Sequence, residues 1–237
     1  MRELRIAAVG DVHLDESLRG RYRERLDGVE EHADVLLLAG DLTRHGTREE
    51  ARVVADEFRG LPIPVVAVLG NHDYHSNLPA EIASLLSGVG ITVLHDDAAV
   101  LDVDGVRLGV VGGKGFGGGY AGKCVSDFGE PEIKAFVSHT RRIADRWRLA
   151  LKELQADRRV VLSHYSPVKD TLHGEPLEIY PFLGSYLLAE AVDAEGADLI
   201  IHGHAHAGTE KGVTPGGIRV RNVALPVLGR AYGVYCL

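Results

Sequence analysis

Cysteine is scarce in this chain of 237 residues: Cys124 and Cys236 are the whole supply, far apart and outside any C-x-x-C pattern. A disulfide framework is therefore excluded, and a reducing compartment fits. No apolar run approaches the ~20 residues needed to span a bilayer. No charged segment followed by an apolar stretch opens the chain, so no signal peptide is expected and the cytoplasm is the expected location. Positive charge is also short, with a formal net charge of -8. The summed field of such a chain repels phosphate backbones, which disfavours nucleic-acid and anionic-membrane partners. Arg19, Arg21, Arg23 and Arg25 crowd one segment, and a solvated helix face accounts for them. Internal repeats and low-complexity linkers are absent too, so one domain over residues 1–237 is expected.

What is present is ample core material: 45% of the residues are hydrophobic, enough for one sizeable α/β core. Short runs rich in Val, Ile and Leu predict strands buried on both faces at 5–9, 35–39, 65–69, 106–111, 159–162 and 199–202. Shorter strands are expected at 92–94, 99–103, 218–222 and 232–236. Thr47 with Glu50 three positions later predicts a capping box opening a helix through Phe58. Apolar residues at helical spacing over 130–154 predict the longest helix. Strand–helix alternation in the first half implies a partly parallel sheet. The short runs after Thr92 and near the C-terminus imply antiparallel pairing and a second sheet.

Five predicted strands end in the same way. An apolar run stops and an oxygen or imidazole donor follows at once: AAVGDVH, LLLAGDL, VAVLGNHD, VVLSHY and LIIHGHAH. In open α/β sheets ligands bind at the carboxyl edge of the strands. Gly10, Gly40, Gly70 and Gly203 directly precede the polar residues, where the lack of a Cβ permits a sharp turn and close backbone approach. Gly-Asp and Gly-Asn are ordinary turn pairs, which explains any one of these units. It does not explain the accompanying His13, Asn71, His72, His164, His204 and His206.

These residues resemble the five blocks of the calcineurin-like metallophosphoesterases, in the family's order: Asp11-Val12-His13, Gly40-Asp41, Gly70-Asn71-His72-Asp73, His164, and Gly203-His204-Ala205-His206. The plain layout is nearest to the small bacterial phosphodiesterases. The resemblance implies a four-layer α/β/β/α sandwich of two mixed sheets flanked by helices. It implies that Asp11, His13 and His206 hold one metal, that Asn71, His164 and His204 hold a second, and that Asp41 bridges them. Two divalent or mixed-valence transition-metal ions are implied, Mn, Fe or Zn, since mixed N and O ligands suit these and not a thiolate site. A paired-cation centre would generate a bridging hydroxide for in-line attack at phosphorus. His72 is implied as general acid to the leaving oxygen or as transition-state stabiliser. In the protein-phosphatase branch an Asp three residues after the bridging Asp orients this histidine. Here that position is Arg44, so the orienter of His72 is not named by the sequence.

Some signals mislead. GGGYAGKC over 117–124 approximates a phosphate-binding loop, but Cys124 replaces the Ser or Thr that would hold magnesium, and Asp127, Gly129 and Pro131 argue against a helix starting there. The glycine-rich stretch 112–122 is either a flexible loop contacting substrate or a surface excursion. Lys114, Lys123 and Lys169 are candidate phosphate contacts, with solvated lysines the alternative. His202 is expected to support the ligands from behind or to be structural, and the segment 166–184 either walls the cleft or packs as a connection. A small phosphomonoester or phosphodiester is the expected partner. The alternatives are a DNA nuclease of the repair-exonuclease branch, against which the acidic charge and short chain stand, and a catalytically silent protein-binding scaffold of the same fold, against which every filled block position stands.

Overall fold

The strands of the computed structural model, which describes residues 3–237, follow in chain order as β1 (Arg5–Val9), β2 (Val35–Ala39), β3 (Val65–Val68), β4 (Thr92–Leu94), β5 (Asp97–Val103), β6 (Val106–Gly113), β7 (Gly119–Tyr120), β8 (Lys123–Cys124), β9 (Arg158–Ser163), β10 (Leu199–His202), β11 (Lys211–Val213), β12 (Arg219–Asn222) and β13 (Gly233–Cys236). The helices are α1 (Val29–His32), α2 (Arg48–Phe58), α3 (Pro79–Ser87), α4 (Pro131–Glu153), α5 (Tyr180–Leu183), α6 (Tyr186–Glu195) and α7 (Leu225–Leu228). The single domain expected over 1–237 includes residues 1 and 2, which lie outside the described residues.

One sheet has the order β13-β1-β2-β3-β4 and the other β11-β12-β10-β9-β6-β5. In the first, β1 to β4 are parallel and β13 is an antiparallel edge. In the second, β6, β9, β10 and β12 are parallel, with β5 and β11 antiparallel at the two edges. Both sheets are mixed, as expected. Strand 92–94 differs from expectation in pairing parallel to β3. It follows α3, which supplies the crossover a parallel pair needs.

Alternation along the strands builds the layers. Ile6, Ala8, Leu37 and Val66 point between the sheets, where they meet Val110, Val160, Leu162 and Ile201. Their neighbours Ala7, Val9, Leu36 and Leu38 face the other way, against Val53, Val54, Phe58, Ile82 and Leu86 of α2 and α3. On the outer side of the second sheet, Val161 and Ile200 pack against Ile143, Trp147 and Leu151 of α4 and Leu188 and Val192 of α6. Because the central strands β1, β2, β3, β9 and β10 are buried on both faces, each sheet must be covered twice. The result is the four-layer α/β/β/α arrangement.

The capping box holds: the Thr47 hydroxyl accepts from the Glu50 amide and the Glu50 carboxylate receives the Thr47 amide. The arginine-rich segment 19–25 does not form the expected helix face. It folds as short 3-10 turns (16–18 and 23–26) pinned by Glu57, whose carboxylate accepts from the amides of Gly20 and Arg23. Gly20 has φ 79°, a conformation that interrupts an α-helix.

The glycine-rich stretch is not a surface excursion. Most of it is buried. The amides of Gly118 and Gly119 donate to the carbonyls of Pro181 and Gly184 at 2.7 and 2.8 Å. The glycines let backbone lie directly on backbone there: a Cβ on Gly117 or Gly184 would overlap the carbonyl of Pro181 or Ser166. Lys123 lies in β8, a two-residue strand with no helix after it, so the phosphate-loop likeness has no structural counterpart.

Candidate metal centre

The carboxyl ends of β1, β2, β3, β9 and β10 meet where the two sheets abut. Main-chain and side-chain bonds tie the ends across the sheets. His164 Nδ1 donates to the Ala39 carbonyl at 2.9 Å, and the His204 amide donates to Asp11 Oδ2 at 2.9 Å. Two glycines are required by close approach. A Cβ on Gly70 would overlap Asp41, and one on Gly203 would overlap the Asp11 carboxylate. Four donors in this cluster sit in the left-handed region: Asp11 at φ 57°, His13 at 43°, Asp41 at 50° and His204 at 70°. Each such residue costs about 1–2 kcal/mol. That cost is sustained only where surrounding bonds over-determine the backbone, as the amide of His13 does by donating to the Asp41 carbonyl at 3.0 Å.

Two groups of donor atoms result. One atom each from Asp11, His13, Asp41 and His206 lie within 4.8 Å of one another, and so do one each from Asp41, His164 and His204. Asp41 belongs to both. Asn71 joins the second group, its Oδ1 lying 2.9 Å from His164 Nε2. The structure thus gathers at one place all seven residues named from the sequence as metal ligands. His72 is beside them, its amide donating to Asp41 Oδ1 at 2.8 Å and its Nε2 standing 3.9 Å from Asp41 Oδ2. Val12, Leu18 and Arg44 line the cleft with His13, His72 and His206.

The electrostatics fit cations. Among the described residues, His13 Nε2 is a buried polar atom with no hydrogen-bond partner, an arrangement that costs free energy unless something positive meets it. Burial lowers the His13 pKa against the pull of Asp41 and Asp11, which favours the neutral, ligating imidazole. Burial also drives His204 down to about 3. His164 is different. Burial opposes its charged form, but the Asp41 carboxylate outweighs burial and raises it to about 9. With Nδ1 committed to Ala39, His164 Nε2 faces Asn71 Oδ1 at 2.9 Å and Asp41 Oδ1 at 3.3 Å. Three acceptor-type atoms converge there, and a proton or a metal cation reconciles them. Asp41 itself is held well below the usual carboxylate range: burial raises it, and the charges and hydrogen bonds of His164 and His72 overcome that rise. His206 is raised by its hydrogen bond to Asp11 at 2.8 Å.

His202 stays out of the cluster. Its Nε2 meets Thr171 Oγ1 at 2.8 Å and its Nδ1 the Gly203 carbonyl at 2.7 Å, in full burial. The segment 166–184 reaches the cluster where the Phe182 carbonyl meets His204 Nε2 at 3.2 Å.

Two supports were not foreseen. Asp73 is buried and accepts from the amides of Leu42, Thr43 and Gly70 and from the Thr43 hydroxyl, at 2.6–3.2 Å. It clamps the loop of Asp41 to the loop of Asn71, and burial lifts its pKa to about 6, with the Asp41 charge adding to the rise. The second is the orienter of His72, whose Nδ1 lies 2.8 Å from the backbone carbonyl of Arg44. Residue type carries no signal for either, except that the fourth position of Gly-Asn-His-Asp needed a role.

The sequence model for calcineurin-like phosphoesterases matches residues 4–208. The chain belongs to the calcineurin-like phosphoesterase family. Members of this phosphoesterase family use divalent metal ions, and the Asp and His groups described above could hold them. The fold is also similar to solved structures. Phosphopantetheinyl hydrolase (PptH) from Mycobacterium tuberculosis aligns with a TM-score of 0.62 at 15% identity, over 94% of this chain and 89% of that one. A putative 5'-nucleotidase from Staphylococcus aureus aligns with a TM-score of 0.61 at 18% identity, over 93% of this chain and 48% of that one. TT1561 of Thermus thermophilus aligns at 0.55 and 16% identity over 99% of both chains. No curated protein matches the sequence significantly. No helix among the described residues is long and apolar enough to cross a membrane.

Proposed function

We propose that this calcineurin-like phosphoesterase is a two-metal hydrolase of a small phosphomonoester or phosphodiester. The observation that carries the reading is the shared carboxylate: Asp41 belongs to both donor groups, beside a buried imidazole nitrogen, His13 Nε2, that lacks a partner. Asp11, His13 and His206 would hold one ion, Asn71, His164 and His204 the other, with Asp41 between them. Two such cations, of Mn, Fe or Zn, would supply an activated water and charge to stabilise attacking and leaving oxygens.

The chain's own part is to place and tune these groups. The Ala39 carbonyl fixes the His164 tautomer with Nε2 inward, the kind of outer support that orients ligating imidazoles. His72 is oriented likewise. A carbonyl oxygen only accepts, so Nδ1 carries the proton that meets Arg44, and Nε2 is left facing the cleft. As the imidazolium, with a second proton on Nε2, His72 would give that proton to the leaving oxygen or stabilise its charge.

A small phosphoester, rather than nucleic acid or a membrane surface, is the partner that suits a formal charge of -8. Two free cysteines suit the cytoplasm. The test is turnover of p-nitrophenyl phosphate, bis(p-nitrophenyl) phosphate and single-stranded DNA by protein loaded with Mn²⁺. Hydrolysis of a small ester, abolished by chelation, is expected. DNA cleavage at a comparable rate would favour a nuclease. Metal-loaded protein inert toward every phosphoester would favour a protein-binding scaffold.

A further inference from the structure

Lys114 directly follows β6, where the chain enters the glycine-rich stretch. Its carbonyl accepts from the amides of His164 at 3.2 Å and Tyr165 at 3.0 Å. Gly113 is paired in parallel register with Ser163, so Lys114 starts beside His164 at the edge where the ligand cluster forms. Its Nζ stands 4.7 Å from the ring centre of Phe116, 4.9 Å from Tyr165 and 5.2 Å from Tyr74. Tyr74 ends the 3-10 turn that begins at His72. The Tyr165 ring is 4.3 Å from the ring of His204. The ammonium is thus flanked on one side by the turn carrying His72 and on the other by the ring stacked on His204.

This cation is under-supplied with acceptors. An ammonium has three N–H donors, and here it meets the Gly115 carbonyl at a long 3.4 Å. No carboxylate among the described residues forms an ion pair with it within 4.0 Å. Burial lowers its pKa to about 8 against the pull of Asp96 and Asp41, and Asp96 is already bonded by Arg146 and by Trp147 Nε1 at 3.0 Å. The three rings stabilise the charge through their quadrupoles without accepting strong hydrogen bonds. A lysine serving only as packing would lay its stem on the rings and put its amine in open water. Here the amine itself is among the rings.

We propose that the Lys114 ammonium binds an unesterified oxygen of the substrate's phosphoryl group, which makes phosphomonoesters the preferred substrate class of this cleft. The inference rests on the hydrolase reading above. A monoester dianion offers one more free oxygen and one more negative charge than a diester. Those are what an ammonium with unspent donors selects.

The test compares wild type, Lys114→Met and Lys114→Arg, all loaded with Mn²⁺ and checked for metal content and melting temperature. Inorganic phosphate is titrated by calorimetry, and KM is measured for p-nitrophenyl phosphate and bis(p-nitrophenyl) phosphate. Lys114→Met should weaken phosphate binding and raise the monoester KM by about 10- to 100-fold, the worth of a hydrogen bond to a charged group, while the diester KM moves by less than about threefold. Lys114→Arg should recover much of the loss. Unchanged phosphate affinity in Lys114→Met, or an equal loss on both esters, would overturn the inference. So would loss of metal in that variant, which would make Lys114 a support of the ligands instead. Lys114→Gln replaces the Met variant if that one does not fold. Failure of the wild type to hydrolyse either ester would overturn the hydrolase reading, and the phosphate titration would still decide the role of Lys114.

Discussion

His72 is held through its Nδ1 by the main-chain carbonyl of Arg44 at 2.8 Å, and the Arg44 side chain turns away to pair with Asp15 at 3.0 Å. The position that carries an orienting carboxylate in the protein-phosphatase branch therefore does the same geometric work here with its backbone. His72→Ala should keep its metal content and lose kcat by a factor on the order of 10²–10⁴, the usual worth of positioned acid–base chemistry. Arg44→Ala keeps the carbonyl, so the pH profile of kcat should stay where it is. A displaced profile in Arg44→Ala would mean that the guanidinium, not the carbonyl, governs His72.

Asp73 predicts a stability effect without a ligand role. Asp73→Ala would strand three buried amides, those of Leu42, Thr43 and Gly70. At about 1–3 kcal/mol per stranded donor, the loss should reach roughly 3 kcal/mol or more. Thr43→Val, which removes one hydroxyl from the same carboxylate, should cost only about 1 kcal/mol. Denaturant unfolding of the two variants checks the ratio. Equal small losses would mean that the clamp between the two loops is not formed.

His202 sets an acid limit. Burial lowers its folded pKa from 6.5 to about 4. Between those values the unfolded chain binds the proton and the folded chain does not, so stability falls as pH drops from 6.5 toward 4. The shift corresponds to roughly 3 kcal/mol, fully present above pH 6.5. His202→Gln should make this part of the stability–pH curve less steep when metal-free protein is melted across the range, with His204, lowered by burial to about 3, keeping part of the slope. A variant as acid-sensitive as wild type would assign the slope to other groups.

What the sequence disclosed follows from where chemistry and burial leave marks in residue type. Val35–Ala39 and Leu199–His202 are apolar on both faces, so a strand is the natural reading, and the glycine after each marks the turn where Asp41 or His204 emerges. Donors at five such ends could be listed before any fold was known. The supports could not. Arg44 acts through a carbonyl that every residue possesses. β7 and β8 have two residues each, too short for alternation to show. The run from Gly112 to Gly122 looks flexible because glycine is permissive, yet here its missing side chains allow close packing against Pro181 and Gly184. Helices α3 and α6 carry no capping box as plain as that of Thr47 and Glu50: α3 opens on Pro79 without a side-chain cap, and α6 on Ser185 alone.

The number of manganese ions bound per chain, with their positions from anomalous scattering, is the most direct measurement of the paired-cation site. Two ions are expected, one among Asp11, His13 and His206 and one among Asn71, His164 and His204, with Asp41 reaching both. Asp41→Asn should weaken both together. An ion-free cluster in protein saturated with manganese, or ions bound elsewhere on the chain, would contradict it.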